Sequence, residues 1–213
     1  MPRITLIHAT ALAIEPTLAS FRRLWPQAQL HSVLDDGLTD ALSTAPQTLV
    51  PRFQALASYA VLARSSAVLF TCSAFGEAID AARTALPLPM LKPNEAMFDA
   101  ALQAGPRVAL LATFEPTIDA LSAEFAATCA AAGTAATLLP MHVKGAMEAL
   151  AAGQPEAHDR LIEEAAARLP PHDAVMLGQF SMARAASRVA GHTTAPVFTS
   201  PDSAVLRLRQ LVG

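Results

Sequence analysis

The chain has 213 residues, 53% of them hydrophobic and 15% charged, with a formal net charge of -3. That length buries a sizeable core, and that composition excludes a disordered polymer. With a pI near 6.0 and no clustered Lys/Arg stripe, nucleic acid and anionic membrane are not expected as partners.

In chain order, M-P-R-I-T-L-I-H reads as a strand ending on His8, without the charged segment, apolar run and cleavage site of a signal peptide. A helix follows, with Glu15-Pro16-Thr17 at its start, where the missing proline N–H costs nothing. Asp35-Asp36-Gly37 is a polar turn before the next helix. The stretch A-V-L-F-T-C-S-A-F-G, from Ala67 to Gly76, is a buried strand that ends on Cys72 and turns directly into a helix. L-P-M-L-K-P-N-E-A gives a short strand and a helix with Glu95 in its first turn, where a carboxylate complements the helix dipole.

From Val108 the pattern repeats. Glu115-Pro116-Thr117 stands 100 positions after Glu15-Pro16-Thr17. Val33–Leu42 aligns with Met141–Leu150, Ala67–Ala74 with Ala174–Ser181, and Leu88–Ala96 with Ala195–Ala204. Four blocks in one order at similar offsets indicate an internal duplication. Each half reads as strands alternating with helices, so the expected fold class is α/β. It comprises two similar lobes related by a pseudo-twofold, each a parallel sheet flanked by helices. The expected boundaries are 1–94 plus 198–213 for one lobe and 95–197 for the other. Ligands of such sheets sit at the carboxyl ends of the strands, where helix N-termini offer free N–H groups. The expected site is a cleft between the lobes, floored by His8, Ala9, Thr10, Thr71, Cys72, Ser73, Thr113, Phe114, Thr117 and Gly178 to Ser181.

Cys72 and Cys129 are the only cysteines, too few for a disulfide framework and without metal-ligand spacing, so a cytoplasmic protein with reduced thiols is expected. Cys129 lies in the alanine-rich end of a helix and reads as packing. A helix N-terminus at Ser73 and Ala74 is expected to lower the pKa of the Cys72 thiol and to hold an anion. Thr10, Thr71, Thr113 and Thr117 are placed to add hydroxyl donors around a carboxylate or carbonyl. His8 is placed to orient a carboxylate or pass a proton; His142 is a weaker candidate at the rim.

The motifs L-F-T-C-S-A-F-G, L-L-A-T-F-E-P-T, M-L-G-Q-F-S-M-A and P-M-L-K-P-N-E-A-M give the whole chain a resemblance to the aspartate/glutamate racemase superfamily. That group includes hydantoin racemases, maleate isomerase and arylmalonate decarboxylase. The resemblance implies acid/base chemistry at a carbon α to a carbonyl, without pyridoxal phosphate or metal. Cys72 matches the first catalytic cysteine. The second falls on Gln179, whose amide neither takes nor gives a proton at neutral pH. Substrate-binding positions implied alongside it are His8, Thr10, Thr71, Ser73, Ala74, Thr113, Phe114, Thr117, Phe180 and Ser181. The expected activity is a cofactor-independent isomerase or racemase of a small carboxylate or cyclic amide using Cys72. The alternatives are a single-thiol decarboxylase and a non-catalytic anion-binding descendant. Members of that superfamily are often dimers or larger, so a homo-oligomer is one of the partners the resemblance admits, while the sequence leaves the oligomeric state open.

Overall fold

The computed structural model describes all 213 residues, which form two compact units, Met1–Ala96 with Ala204–Gly213 and Met97–Ser203. The first unit contains β1 (Arg3–His8), α1 (Ile14–Leu24), β2 (Gln29–Leu34), α2 (Gly37–Thr44), α3 (Leu49–Leu62), β3 (Ala67–Phe70), α4 (Gly76–Ala85) and β4 (Met90–Leu91). Helix α5 (Glu95–Ala104) leads into the second unit. There follow β5 (Arg107–Ala112), α6 (Pro116–Ala132), β6 (Thr137–His142), α7 (Ala146–Ala151), α8 (Pro155–Ala166), β7 (Ala174–Leu177), α9 (Ala186–Ala190) and β8 (Val197–Thr199). Helix α10 (Ser200–Val212) ends the chain.

Each unit holds one four-stranded, all-parallel sheet, and the two orders are the same: β2-β1-β3-β4 and β6-β5-β7-β8. The central strands A-V-L-F of β3 and A-V-M-L of β7 are buried at every position, as strands covered on both faces must be. In the first unit Ile7, Val68 and Phe70 face α2, α3 and α4, while Ile4, Leu6 and Leu69 face α1 and α10. In the second, Ala109, Leu111 and Leu177 face α7 and α8, while Val108, Leu110 and Met176 face α5 and α6. Phe53 packs between Phe70 and Phe75, with ring centroids 5.3 Å and 5.0 Å away. Each such buried side chain contributes about 1.5–3 kcal/mol.

The connection from β2 to β3, and its counterpart from β6 to β7, is two helices where the sequence pattern predicts one. Pro46 cannot extend α2, because its ring blocks the helical hydrogen bond. Gly153, at φ +71°, closes α7 before Pro155 opens α8. Pro116 likewise opens α6, and Gln179 and Cys72 are both extended residues that start short 3-10 segments. No helix is long and apolar enough to cross a membrane.

Gly178 follows β7 where no side chain fits. A Cβ there would lie 2.9 Å from Leu121 Cδ1 and 3.2 Å from both Leu110 Cδ1 and the Leu111 carbonyl oxygen. Its counterpart after β3, Thr71, has room for a side chain. Gly178→Val is expected to cost about 1–3 kcal/mol through overpacking, read as a lower urea midpoint with an unchanged slope. Thr71→Val should cost less.

Candidate active site

Backbone pairing assembles the candidate residues at the carboxyl ends of the strands. In the first unit the Thr71 N–H donates to the Ile7 carbonyl (3.1 Å) and the Asp35 N–H to the His8 carbonyl (3.0 Å). In the second unit the Gly178 N–H donates to Leu111 (2.8 Å) and the Val143 N–H to Ala112 (2.8 Å). Cys72 and Gln179 are each the second residue beyond a central strand, so Gln179 has the place in its unit that Cys72 has in the other.

Cys72 is half-buried. Its sulfur lines a narrow apolar crevice with Ile7, Ala9, Leu38, Phe53, Phe70 and Phe75, about 160 Å³ of unfilled space and nowhere wide enough for water. The Ala74 N–H reaches the sulfur and favours thiolate, but burial disfavours it more, and the thiol pKa is pushed up from its ordinary value. The expected lowering is therefore reversed. The helix N-terminus is present, but it begins as a 3-10 turn over Ser73–Phe75, and the phenylalanines desolvate the sulfur. At neutral pH the group is a thiol.

His8 is fully buried. Its Nδ1 lies 2.9 Å from the Thr71 hydroxyl, which lies 3.3 Å from the Ile7 carbonyl oxygen. If that hydroxyl donates to Ile7, then Nδ1 carries the proton and Nε2, buried without a partner, is an acceptor. Desolvation lowers the His8 pKa to about 4, so the ring is neutral at pH 7. Strand alternation puts His8 and Thr71 on the α1 face of their sheet, whereas Cys72 packs on the α3 face. Thr10 caps the turn Ala11–Ala13, accepting from the Leu12 N–H at 3.3 Å. Ser73 is partly buried, and Ala74 is exposed.

In the second unit the Gln179 Oε1 accepts from the Thr113 N–H at 2.9 Å and lies 3.3 Å from the Thr113 hydroxyl. Its Nε2 is buried without a partner. The amide orientation is thus set by the backbone of the β5 end. Thr113 and Phe180 are buried, Ser181 and Thr117 partly so, and Phe114 is 51% exposed. The 3-10 segment that starts at Phe180 is tied down by Arg184, whose Nε donates to both Asp159 oxygens at 2.9 and 2.8 Å.

Several weaker candidates have structural partners. Asp35 makes a two-pronged pair with Arg52, at 2.5 and 3.2 Å. Glu95 accepts from the Lys92 N–H at 3.1 Å and from Arg83 at 2.5 Å, a capping role. Cys129 is buried against Phe98 and Phe125. No three His, Cys, Asp or Glu side chains are grouped to hold a metal ion. A broader groove of about 600 Å³ lies at Leu169–His172 and Gly191–Thr194, at the amino ends of β7 and β8, away from Gln179. His142, read as a loop residue, is the last residue of β6 and the register partner of Ala112. Sequence reasoning put it in a loop because nothing local marks a strand's final position.

The fold has many solved counterparts. Allantoin racemase from Klebsiella pneumoniae superposes with a TM-score of 0.77 at 18% identity, covering 100% of this chain and 88% of that one. An aspartate racemase homologue from Pyrococcus horikoshii OT3 gives 0.72 at 18% identity, covering 100% and 99%. Arylmalonate decarboxylase gives 0.65 at 21% identity, covering 100% and 93%. No curated protein matches by sequence.

The buried imidazole has a consequence for stability. The unfolded ring takes a proton near pH 6.5 and the folded one near pH 4, so the unfolded state binds more protons between these values. Stability is therefore lost as pH falls from 6.5 towards 4, by on the order of 3 kcal/mol at about 1.4 kcal/mol per unit. Urea midpoints of wild type and His8→Asn, measured at pH 7 and pH 4.5, should show a smaller acid loss in the variant. The Asp/Glu/Hydantoin racemase family is matched over residues 28–208, and this chain, with its two parallel sheets, belongs to that family.

Proposed function

We propose that the protein is an isomerase or racemase acting, without a cofactor, at the α-carbon of a small carboxylate or cyclic amide, with Cys72 as its thiol acid/base. The observation that carries this reading is the position of Cys72 in a chain of this family. It stands just beyond the central strand, with the Ala74 N–H on its sulfur. Free N–H groups in the Ser73–Phe75 turn stabilise the negative charge that appears on a carboxylate or carbonyl when the α-carbon loses its proton. The Gln179 amide, held by Thr113, can hydrogen-bond a substrate but cannot carry a proton. Here it stands where a second thiol would be expected.

A second reading draws on the same sulfur. Burial keeps Cys72 protonated, which suits a decarboxylase. Loss of carbon dioxide generates the enediolate without a base, and one thiol quenches it from one face. Arylmalonate decarboxylase shares the fold. We also infer a cytoplasmic location and a small-molecule substrate, consistent with two unpaired cysteines and an acidic surface balance.

Turnover in D2O tests both readings. Each enantiomer of aspartate, glutamate and 5-methylhydantoin, together with phenylmalonate, is followed by NMR. Racemase action exchanges the α-hydrogen and equilibrates the enantiomers, whereas decarboxylation gives product labelled on a single face. Cys72→Ala should lower either activity by about 10²–10⁴-fold, the usual contribution of a positioned acid/base, with an unchanged thermal midpoint. Activity that persists in Cys72→Ala would overturn the role given to the thiol. Alkylation of Cys72 by iodoacetamide should be slower at pH 7 than that of a free cysteine and should accelerate above pH 9.

A further inference from the structure

We propose that Arg184 and Arg188, held by the α8 carboxylates Asp159 and Glu163, are positioning residues that fix the place of Gln179. The proposal rests on the reading of Gln179 as a hydrogen-bond partner of the substrate, and all its residues lie in the second unit. Asp159 and Glu163 stand four residues apart on one face of α8. Arg184 and Arg188 stand four apart in the segment that begins at Gln179, one in its 3-10 run and one in α9. The four side chains meet as two rungs. Arg184 Nε donates to both Asp159 oxygens, at 2.9 and 2.8 Å, and Arg188 Nη1 donates to Glu163 Oε2 at 3.0 Å. Each carboxylate also holds an imidazole. His158 Nδ1 lies 2.8 Å from Asp159 Oδ1, and His192 Nε2 lies 3.1 Å from Glu163 Oε1. A carboxylate only accepts, so both ring nitrogens donate. The hydrogen bonds from His192 and Arg188 hold the Glu163 carboxyl below its ordinary range.

The first unit holds the same place differently. Its run after Cys72 is a 3-10 turn of three residues followed by the ten-residue α4, and Phe75 keys against Phe53 of α3. The only charged residue of α3, Arg52, is taken up by Asp35. In the second unit Met182 is the counterpart of Phe75, within a 3-10 run of six residues followed by an α9 of only five. Such short pieces have little stability of their own, and a methionine adapts to several placements. Met182, Ala185 and Val189 pack in one cluster with Ile162 and Ala165 of α8. That apolar packing is non-directional, whereas hydrogen-bonded ion pairs select one register. The Asp159 side chain is 8% exposed, so water competes little for Arg184.

The links from these rungs to Gln179 are short. The Gln179 carbonyl accepts from the N–H of Met182, two residues before Arg184, at 3.0 Å. The Gln179 side-chain Oε1 accepts from the Thr113 N–H at 2.9 Å. The Thr113 N–H therefore reports, without any substrate, whether Gln179 is in place.

The experiment measures amide hydrogen exchange by NMR in wild type, Arg184→Met, Arg184→Lys and Glu163→Gln, with urea midpoints as folding controls. The Gly178 and Val143 N–H groups, bonded to Leu111 and Ala112, are the sheet controls. In Arg184→Met the Thr113 N–H should exchange about 10-fold faster relative to those two, as expected for loss of one charge-assisted hydrogen bond. Arg184→Lys, which keeps a cation on Asp159, should restore most of the protection, and Glu163→Gln should give a smaller acceleration. An unchanged Thr113 rate in Arg184→Met, or equal acceleration of all three amides, would overturn the proposal. For whichever of aspartate, glutamate, 5-methylhydantoin and phenylmalonate wild type turns over, Arg184→Met should raise KM by about 10-fold and change kcat by less than about twofold. A loosened Thr113 amide with KM unchanged would overturn the substrate contact of Gln179 and leave its positioning standing. If wild type turns over none of the four, the racemase and decarboxylase readings fail, and the amide rates still decide the positioning.

Discussion

The pairing of β1 with β3, and of β5 with β7, is the constraint on which the rest depends. In each unit a run of four apolar residues is buried on both faces and hydrogen-bonded to a second buried strand. Parallel strands run the same way, so everything that follows them emerges at one edge. The bonds from Thr71 to Ile7 and from Gly178 to Leu111 extend this pairing one residue past the strands. They fix where Cys72 and Gln179 begin. The register leaves little freedom, because a slip of one residue would turn Ile7, Val68 and Phe70 from the α3 side to the α1 side.

On this repeated frame the two units have taken different residues. The first keeps His8 and Thr71 as a buried polar pair, and its second-unit counterparts, Ala112 and Gly178, have no polar side chain to pair. Space is the reason at Gly178, where Leu110 and Leu121 fill the volume that Thr71 uses in the first unit. The polar interaction that orients the strand end is correspondingly different. In the first unit it is imidazole to hydroxyl; in the second it is the Gln179 amide to the Thr113 N–H. Each buries an unpartnered nitrogen, His8 Nε2 and Gln179 Nε2, beside the candidate chemistry. Such groups cost about 1–3 kcal/mol each, a cost that sites for polar ligands commonly carry.

Desolvation is the stronger influence on both His8 and Cys72. It holds His8 neutral and Cys72 protonated. The N–H of Ala74 pulls the other way on the sulfur, but one hydrogen bond does not offset the aromatic wall of Phe53, Phe70 and Phe75. At neutral pH both side chains therefore rest uncharged.

Much was legible in the sequence for reasons that are local. Periodic apolar runs define strands and helices, Pro16 and Pro116 mark the starts of helices, and repeated blocks in one order require repeated topology; the doubled α/β fold follows from these. The paired helices after β2 and β6 were less legible, since Pro46 and Gly153 sit within continuous alanine-rich patterns. Tertiary structure alone decided the chemistry of the strand ends. A thiol at a helix N-terminus reads as acidic from sequence, but its protonation depends on how many apolar atoms from α2 and α3 surround it, and those lie tens of residues away. His142 reads as a loop residue until β6 is paired with β5, because only the ladder to Ala112 brings it to the strand end beside Glu115. Sequence determines which residues follow each strand; packing determines which of them meet and what charge they carry, because desolvation and contact are properties of the folded surroundings.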